Sequence, residues 1–164
     1  MKGLIAVSLA AVALASVARA EEVTVTYKSL SPDVALEAAQ AALKRCRTDG
    51  YQIAVAVLDR FGEPQVMLRD RFAGLPAPRT ATDKAWTALG FRANTSDMVK
   101  SIQAGTLDAR LATLPRVTML GGGLIIEAGG TLLGAIGVSG APGGDKDEAC
   151  AKAGIDSIRD KLDF

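Results

Sequence analysis

The sequence predicts a single α+β domain, an antiparallel β-sheet of four to five strands flanked by helices. Three observations lead there. A chain of 164 residues allows one domain of ordinary size. Two pairs of apolar segments are each joined by a short glycine-containing turn, the pattern of β-hairpins. Alanine-rich stretches with helical spacing precede, separate and follow those pairs.

Residues 1–20 read as a cleaved secretory signal, leaving residues 21–164 as the domain. Lys2 supplies a positive start, Leu4 to Val17 is apolar and alanine-rich, and Ala18-Arg19-Ala20 fits the small-x-small cleavage pattern. The uncharged stretch is shorter than the roughly 20 residues a membrane span needs, and no later run is long enough to cross a bilayer. After cleavage Val23, Val25 and Tyr27 alternate with Thr24 and Thr26, the period of a half-buried strand.

Ser31-Pro32-Asp33 opens a helix, with serine able to cap, proline suited to the first helical position and aspartate complementing the dipole. Ala35, Ala38, Ala39, Ala42, Leu43 and Cys46 form its apolar face, and Asp49-Gly50 ends it. Ile53 to Leu58 is a continuous apolar run rich in β-branched residues, a buried central strand. Asp59-Arg60-Phe61-Gly62 turns the chain and Gln65 to Arg69 returns as a second strand.

Arg71 to Pro78 holds Gly74, Pro76 and Pro78 and reads as a loop. A helix follows from Thr80 to Phe91, with Ala81, Ala85, Ala88 and Leu89 on its inner face. Asn94-Thr95-Ser96-Asp97 caps a shorter helix ending near Gly105, and Thr106 to Leu120 reads mostly as loop. Leu124 to Ala128 and Thr131 to Ser139 form a hairpin about Gly129-Gly130, a pair suited to a two-residue turn with positive φ. Gly134 and Gly137 inside the second strand mark close approach of another backbone or a ligand. Gly140 to Gly144 connects to a last helix, Asp145 to Leu162.

Composition excludes several functions. Histidine is absent, which removes a Ser-His-Asp triad, a His-Glu zinc site and histidine-ligated haem. A formal charge of +1 and 4% aromatic residues argue against nucleic-acid binding. Loss of Lys2 and Arg19 with the signal would bring the charge to −1. The Walker spacing and the dinucleotide fingerprint are both missing. The glycine-rich lead into the last helix could accept an anion, but Asp145, Asp147 and Glu148 in its first turn complement the dipole and repel one. Cys46 and Cys150 fall on the first and last helices, so export would favour one disulfide between them. The alternatives are two buried thiols or a soft metal site, for which two cysteines without histidine are a poor set; no metal site is expected.

Charge is uneven along the chain. From Arg69 to Arg116 eight basic residues face four acidic ones, while the remainder of the mature chain is acidic. This middle segment also holds the longest irregular stretches, where binding sites concentrate. Either it holds a carboxylate-bearing ligand or its cations are simply solvated. Arg79, Lys84 and Arg92 are the candidates for anion contact, and Gly121, Gly122 and Gly123 allow close backbone approach. Glu127 sits in an otherwise apolar strand. It either faces the core and needs a cation from the middle segment, or is solvated beside the Gly-Gly turn.

Four stretches in order resemble the GlcG/HbpS-like family, which is related to the C-terminal domain of PduO proteins. They are Ile53-Ala-Val-Ala-Val-Leu-Asp-Arg-Phe-Gly62, Asp83-Lys-Ala-Trp-Thr-Ala88, Gly121-Gly-Gly-Leu124 and Gly134-Ala-Ile-Gly-Val-Ser-Gly140 before an acidic helix. The resemblance runs from about Ser31 to the C-terminus. It implies a compact α+β domain, assembly into homo-oligomers, and haem or another tetrapyrrole as ligand. Related members often carry a histidine near the loop–helix junction, where this chain has Arg79. An axial ligand would then come from Tyr27, Tyr51, a methionine or a reduced cysteine, with arginine and lysine holding propionates.

The leading expectation is an exported, periplasmic or secreted haem-binding protein. The second is an enzyme or accessory protein acting on a small organic acid near Lys84, Asp83 and Glu127. The third is a structural or sensory partner whose glycines serve assembly alone.

Overall fold

The computed structural model describes residues 23–162. The sequence forms α1 (Pro32–Thr48), β1 (Ala54–Asp59), β2 (Pro64–Arg69), α2 (Ala77–Phe91), α3 (Thr95–Gln103), β3 (Gly123–Ala128), β4 (Thr131–Ser139) and α4 (Gly144–Ser157). The four strands make one antiparallel sheet in the order β2-β1-β4-β3. The two hairpins are therefore joined through β1 and β4, which pair from Ala54↔Ser139 to Asp59↔Gly134.

Alternation along β1 explains the layering. Val55 and Val57 point into one core with Ile136, Val138, the alanines of α1 and Cys150 and Ala151 of α4. Ala54, Ala56 and Leu58 point the other way, against Ala77, Ala81, Ala85 and Ala88 of α2. The sheet is thus a middle layer, which is why its central strand reads as an unbroken apolar run. The α2 side is built from small residues because the helix lies very close. A Cβ on Gly137 would sit 1.9 Å from the carbonyl oxygen of Ala81. The glycine marks close backbone approach, as its place in the strand suggests.

On the other face α1 and α4 pack together and are joined by a disulfide between Cys46 and Cys150, with a Cα–Cα distance of 5.5 Å. Gly154 permits the contact, since a Cβ there would meet the Ala38 carbonyl at 2.6 Å.

Several expectations shift. Val23 to Tyr27 is not a strand: the segment has no regular structure and Val23 and Val25 are exposed. Its alternation has no sheet face to cover. Among the described residues, the stretch leading into α1 makes one backbone hydrogen bond to the sheet, from Leu30 N–H to the Leu133 carbonyl at 3.2 Å, opposite the place where β1 has already ended. Side chains hold the rest: Arg60 donates to the Lys28 carbonyl and Gln65 to that of Leu30. The sheet has four strands. The helix α2 starts three residues earlier than expected, because proline near its first position is compatible with helix entry. A short 3-10 turn, Ala109–Thr113, interrupts the expected loop, with Asp108 accepting from the Arg110 N–H at its start. The last helix ends at Ser157 and a 3-10 turn, Arg159–Lys161, completes the segment. Neither Ser31 nor Asn94 makes a side-chain capping bond. Asn94 instead accepts from the Ile125 N–H, tying α3 to β3. The leader expected over residues 1–20 lies outside the described residues. Among the described residues no helix is long and apolar enough to cross a membrane.

Candidate functional site

Helix α2 contributes one polar strip to an otherwise small, apolar inner face. Lys84 is 2% exposed, and its Nζ donates to Asp147 Oδ2 at 2.7 Å and to the Val138 carbonyl at 2.9 Å. Asp147, on the first turn of α4, is 3% exposed, and its Oδ1 accepts from the Ala141 N–H at 3.0 Å. The pair therefore clamps α2, β4 and α4 together at one end of the sheet. Burial pushes the Asp147 carboxyl above its usual range, against the opposing pull of the Lys84 ammonium bonded to it.

Three glycines make this clamp feasible. Gly122 adopts φ +113°, and a Cβ there would fall 2.7 Å from the Asp147 Cβ and 3.1 Å from Lys84 Nζ. A Cβ on Gly123 would fall 2.3 Å from the Lys84 carbonyl, and one on Gly121 would fall 3.0 Å from that of Gly144. The Gly121–Gly123 run thus threads between α2 and α4 where a side chain cannot fit. Thr95 Oγ1 accepts the Gly123 N–H at 3.0 Å and Thr87 Oγ1 accepts the Thr118 N–H at 2.9 Å, fixing the incoming segment.

Beside the clamp opens a cavity of about 350 Å³ lined by Gly74, Pro76, Ala77, Lys84, Leu120 and the 139–144 connection. The first turns of α2 and α4 border it, so the positive ends of two helix dipoles face it, although the Ala77 and Thr80 N–H groups are already bonded to the Gly74 and Pro76 carbonyls. Asp145 and Asp147 already occupy the start of α4, whereas the first turn of α2 carries no acid. The anion-favouring end is therefore that of α2. Leu120 on its wall is 55% exposed, and Phe72 and Leu75, which flank the lining residue Gly74 in the chain, are 75% and 91% exposed. The Arg71 guanidinium lies over the Phe72 ring, 5.2 Å from its centre.

The site residues expected from sequence separate into three places. Lys84 joins Gly121, Gly122 and Gly123 at the clamp, where its charge is met by Asp147. Arg79 lies one turn away on an outer face of α2, its side chain 82% exposed and its Nε 3.3 Å from Asp83 Oδ2. Asp83 also receives Arg116 Nε at 3.2 Å, and that guanidinium lies over the Trp86 ring. Arg92 ends α2. At about 1.5 Å per residue it is roughly 20 Å from Arg79, too far to share one small ligand. Glu127 is exposed rather than buried; the register shift between Ile126 and Glu127 marks where the strand becomes irregular. It lines a second cavity with Arg92 and Arg60.

Sequence reasoning treated Asp147 only as a dipole-complementing acid. Its spacing held the stronger signal, since Asp147, Cys150, Ala151, Gly154 and Ile158 fall on one helical face. Lys84 likewise shares its face with Ala81, Ala85 and Ala88. A charge on each of two buried faces points to a pair between them.

The fold and this clamp-and-cavity arrangement define a small α+β domain with an open cavity at one end of its sheet. The family model described as haem degrading protein HbpS-like matches residues 30–156, and the chain belongs to that family. A double mutant of HbpS from Streptomyces reticuli is 36% identical with a TM-score of 0.78, covering 89% of this chain and 98% of that one. A structure of a PduOC:heme complex is 26% identical with a TM-score of 0.72, covering 79% of this chain and 95% of that one. The corrinoid adenosyltransferase PduO of Salmonella typhimurium is 30% identical over 105 residues, 62% of this chain but only 31% of PduO. The chain therefore corresponds to less than a third of that enzyme.

Proposed function

We propose that the protein is an exported haem-binding protein that holds the ligand's carboxylates with basic residues and without a histidine ligand. The observation that carries this reading is a cavity walled by exposed Leu120 and the Lys84–Asp147 pair, with exposed Phe72 and Leu75 in the segment that borders it, in a member of the HbpS-like family. A tetrapyrrole has that division: an apolar macrocycle and two carboxylates at one edge. Phe72, Leu75 and Leu120 suit the macrocycle. Arg79, exposed near the start of α2, suits a propionate by a charge-assisted hydrogen bond made in exchange for its solvent-facing pair with Asp83. Lys84 contributes by anchoring Asp147 and the cavity wall, since its ammonium is already paired.

Bound haem would supply a redox-active iron. Cys46 and Cys150 are joined to each other and cannot ligate it. Of the remaining candidates, Met119 is half-buried and precedes the lining residue Leu120 in the chain, whereas Met98 is buried on the inner face of α3. We assign Met119 as the axial candidate over Tyr27 and Tyr51. A disulfide linking two helices accords with an oxidising compartment and so with export.

Hemin titration of the oxidised mature chain, followed by absorbance, tests the reading. A saturable, stoichiometric Soret shift is expected, weakened about tenfold in Arg79→Ala and altered in shape in Met119→Leu. A spectrum that stays that of free hemin overturns haem binding and leaves a small carboxylate at the start of α2 as the ligand to test.

A further inference from the structure

The cavity that gathers Arg92, Glu127 and Arg60 lies at the other end of α2 and is not used by the reading above. Its volume is about 340 Å³, and Ile125, Thr131 and Leu132 complete its walls. Two features set it apart from an ordinary charged surface.

The first is Arg92 itself. It ends α2 in the left-handed conformation, φ 52° and ψ 40°. Glycine adopts that conformation without penalty, whereas a side chain makes it unfavourable. The guanidinium makes no hydrogen bond, ion pair or ring contact with any described residue.

The second is the pairing that does not occur. Arg60 is preset: its Nη1 donates to the Lys28 carbonyl at 3.2 Å and its guanidinium lies 4.4 Å from the centre of the Tyr27 ring. Glu127 lines the same cavity, yet forms no ion pair with either arginine. The site therefore presents two guanidiniums, the Thr131 hydroxyl and one carboxylate that does not neutralise them. Guanidiniums converging on one small cavity fit a tetrahedral oxyanion. A carboxylate on the same wall repels such an anion unless the anion itself carries a proton to donate.

We propose that this cavity is an inorganic phosphate site, with Arg60 and Arg92 holding the oxyanion and Glu127 accepting its P–O–H. Inorganic phosphate keeps one proton throughout the neutral range. Sulfate keeps none, and a phosphomonoester loses its last proton near pH 6. The acceptor carboxylate therefore selects inorganic phosphate from both above neutrality.

Calorimetric titration of the mature chain at pH 7.5 with inorganic phosphate, sulfate and glycerol 3-phosphate tests this. Phosphate should bind saturably, at least tenfold more tightly than either competitor. Glu127→Gln should erase that preference. Arg92→Gly should abolish binding while raising the thermal midpoint, because glycine suits the left-handed cap. The same variant should leave any hemin titration unchanged, which separates this site from the one at the start of α2. Failure of phosphate to bind, equal binding of sulfate, or phosphate binding that survives Arg92→Gly would each overturn the proposal.

Discussion

The Lys84–Asp147 pair shows how one buried contact can dominate local energetics. Two charges have been taken out of water, and each is compensated by the other plus one backbone group. Such pairs add little over an apolar replacement, but breaking one partner leaves the other stranded. Lys84→Ala should therefore cost about 3–5 kcal/mol in denaturant unfolding, while Lys84→Met combined with Asp147→Leu should cost far less. Equal losses in the two variants would show that no charge is stranded. The pair also has a pH signature. Because burial raises the Asp147 pKa in the fold, the native protein binds its proton more readily than the unfolded chain does. The stabilisation this brings is fully present below the ordinary aspartate value of 3.8 and is lost as pH rises through the higher folded value. Removing the pair should flatten that fall, so stability measured against pH in wild type and double variant should converge or diverge only within this window.

At the scale of elements the disulfide is the counterpart of that clamp. It joins α1 to α4 across 104 residues, and Cys150 sits one turn beyond Asp147 on the same helix. Closing a loop of that size is worth about 4–5 kcal/mol in the chain-entropy model, and losses of about 2–5 kcal/mol are typical when a native bridge is removed. Urea unfolding of a Cys46→Ser, Cys150→Ser variant should show a loss in this range; an unchanged midpoint would mean that helix packing alone holds α1 and α4. Elements were legible where periodicity and turn chemistry agreed. The face of α1 read from Ala35 to Cys46 is the buried face, and Gly129 and Gly130 both take positive φ. They were not legible where burial depends on distant partners. Val23 to Tyr27 alternates like a strand, but no sheet edge reaches it. The candidate site was half legible for the same reason. The Gly121–Gly123 run announced close approach, whereas the sign of local charge along the chain could not reveal that α2 carries Arg79 and Arg92 to opposite ends of the molecule.

At the scale of the whole molecule, the α2 side of the sheet is thin and the ligand end is left unfinished. Leu120 is exposed on the wall of an open cavity of about 350 Å³, and Phe72 and Leu75 are exposed in the segment that borders it through Gly74 and Pro76. Tight sites bury about 70–90% of a ligand's surface, and an open cavity leaves a flat macrocycle largely wet. If these side chains form one patch in solution, they are the surface on which a second copy of the chain would pack. Covering the patch with that copy would bury both the patch and the outer face of the ligand. Assembly and hemin affinity should therefore fail together. Leu75→Glu places a charge in the exposed segment beside the cavity without touching the core, since Leu75 is 91% exposed. Light scattering after size exclusion should show the unaltered protein above the mass of one chain and the variant at it, and the variant's hemin affinity should fall at least tenfold. A variant that keeps its assembly but loses hemin would confine this segment to ligand contact within one copy, and one that keeps both would remove this end of the molecule from haem binding altogether.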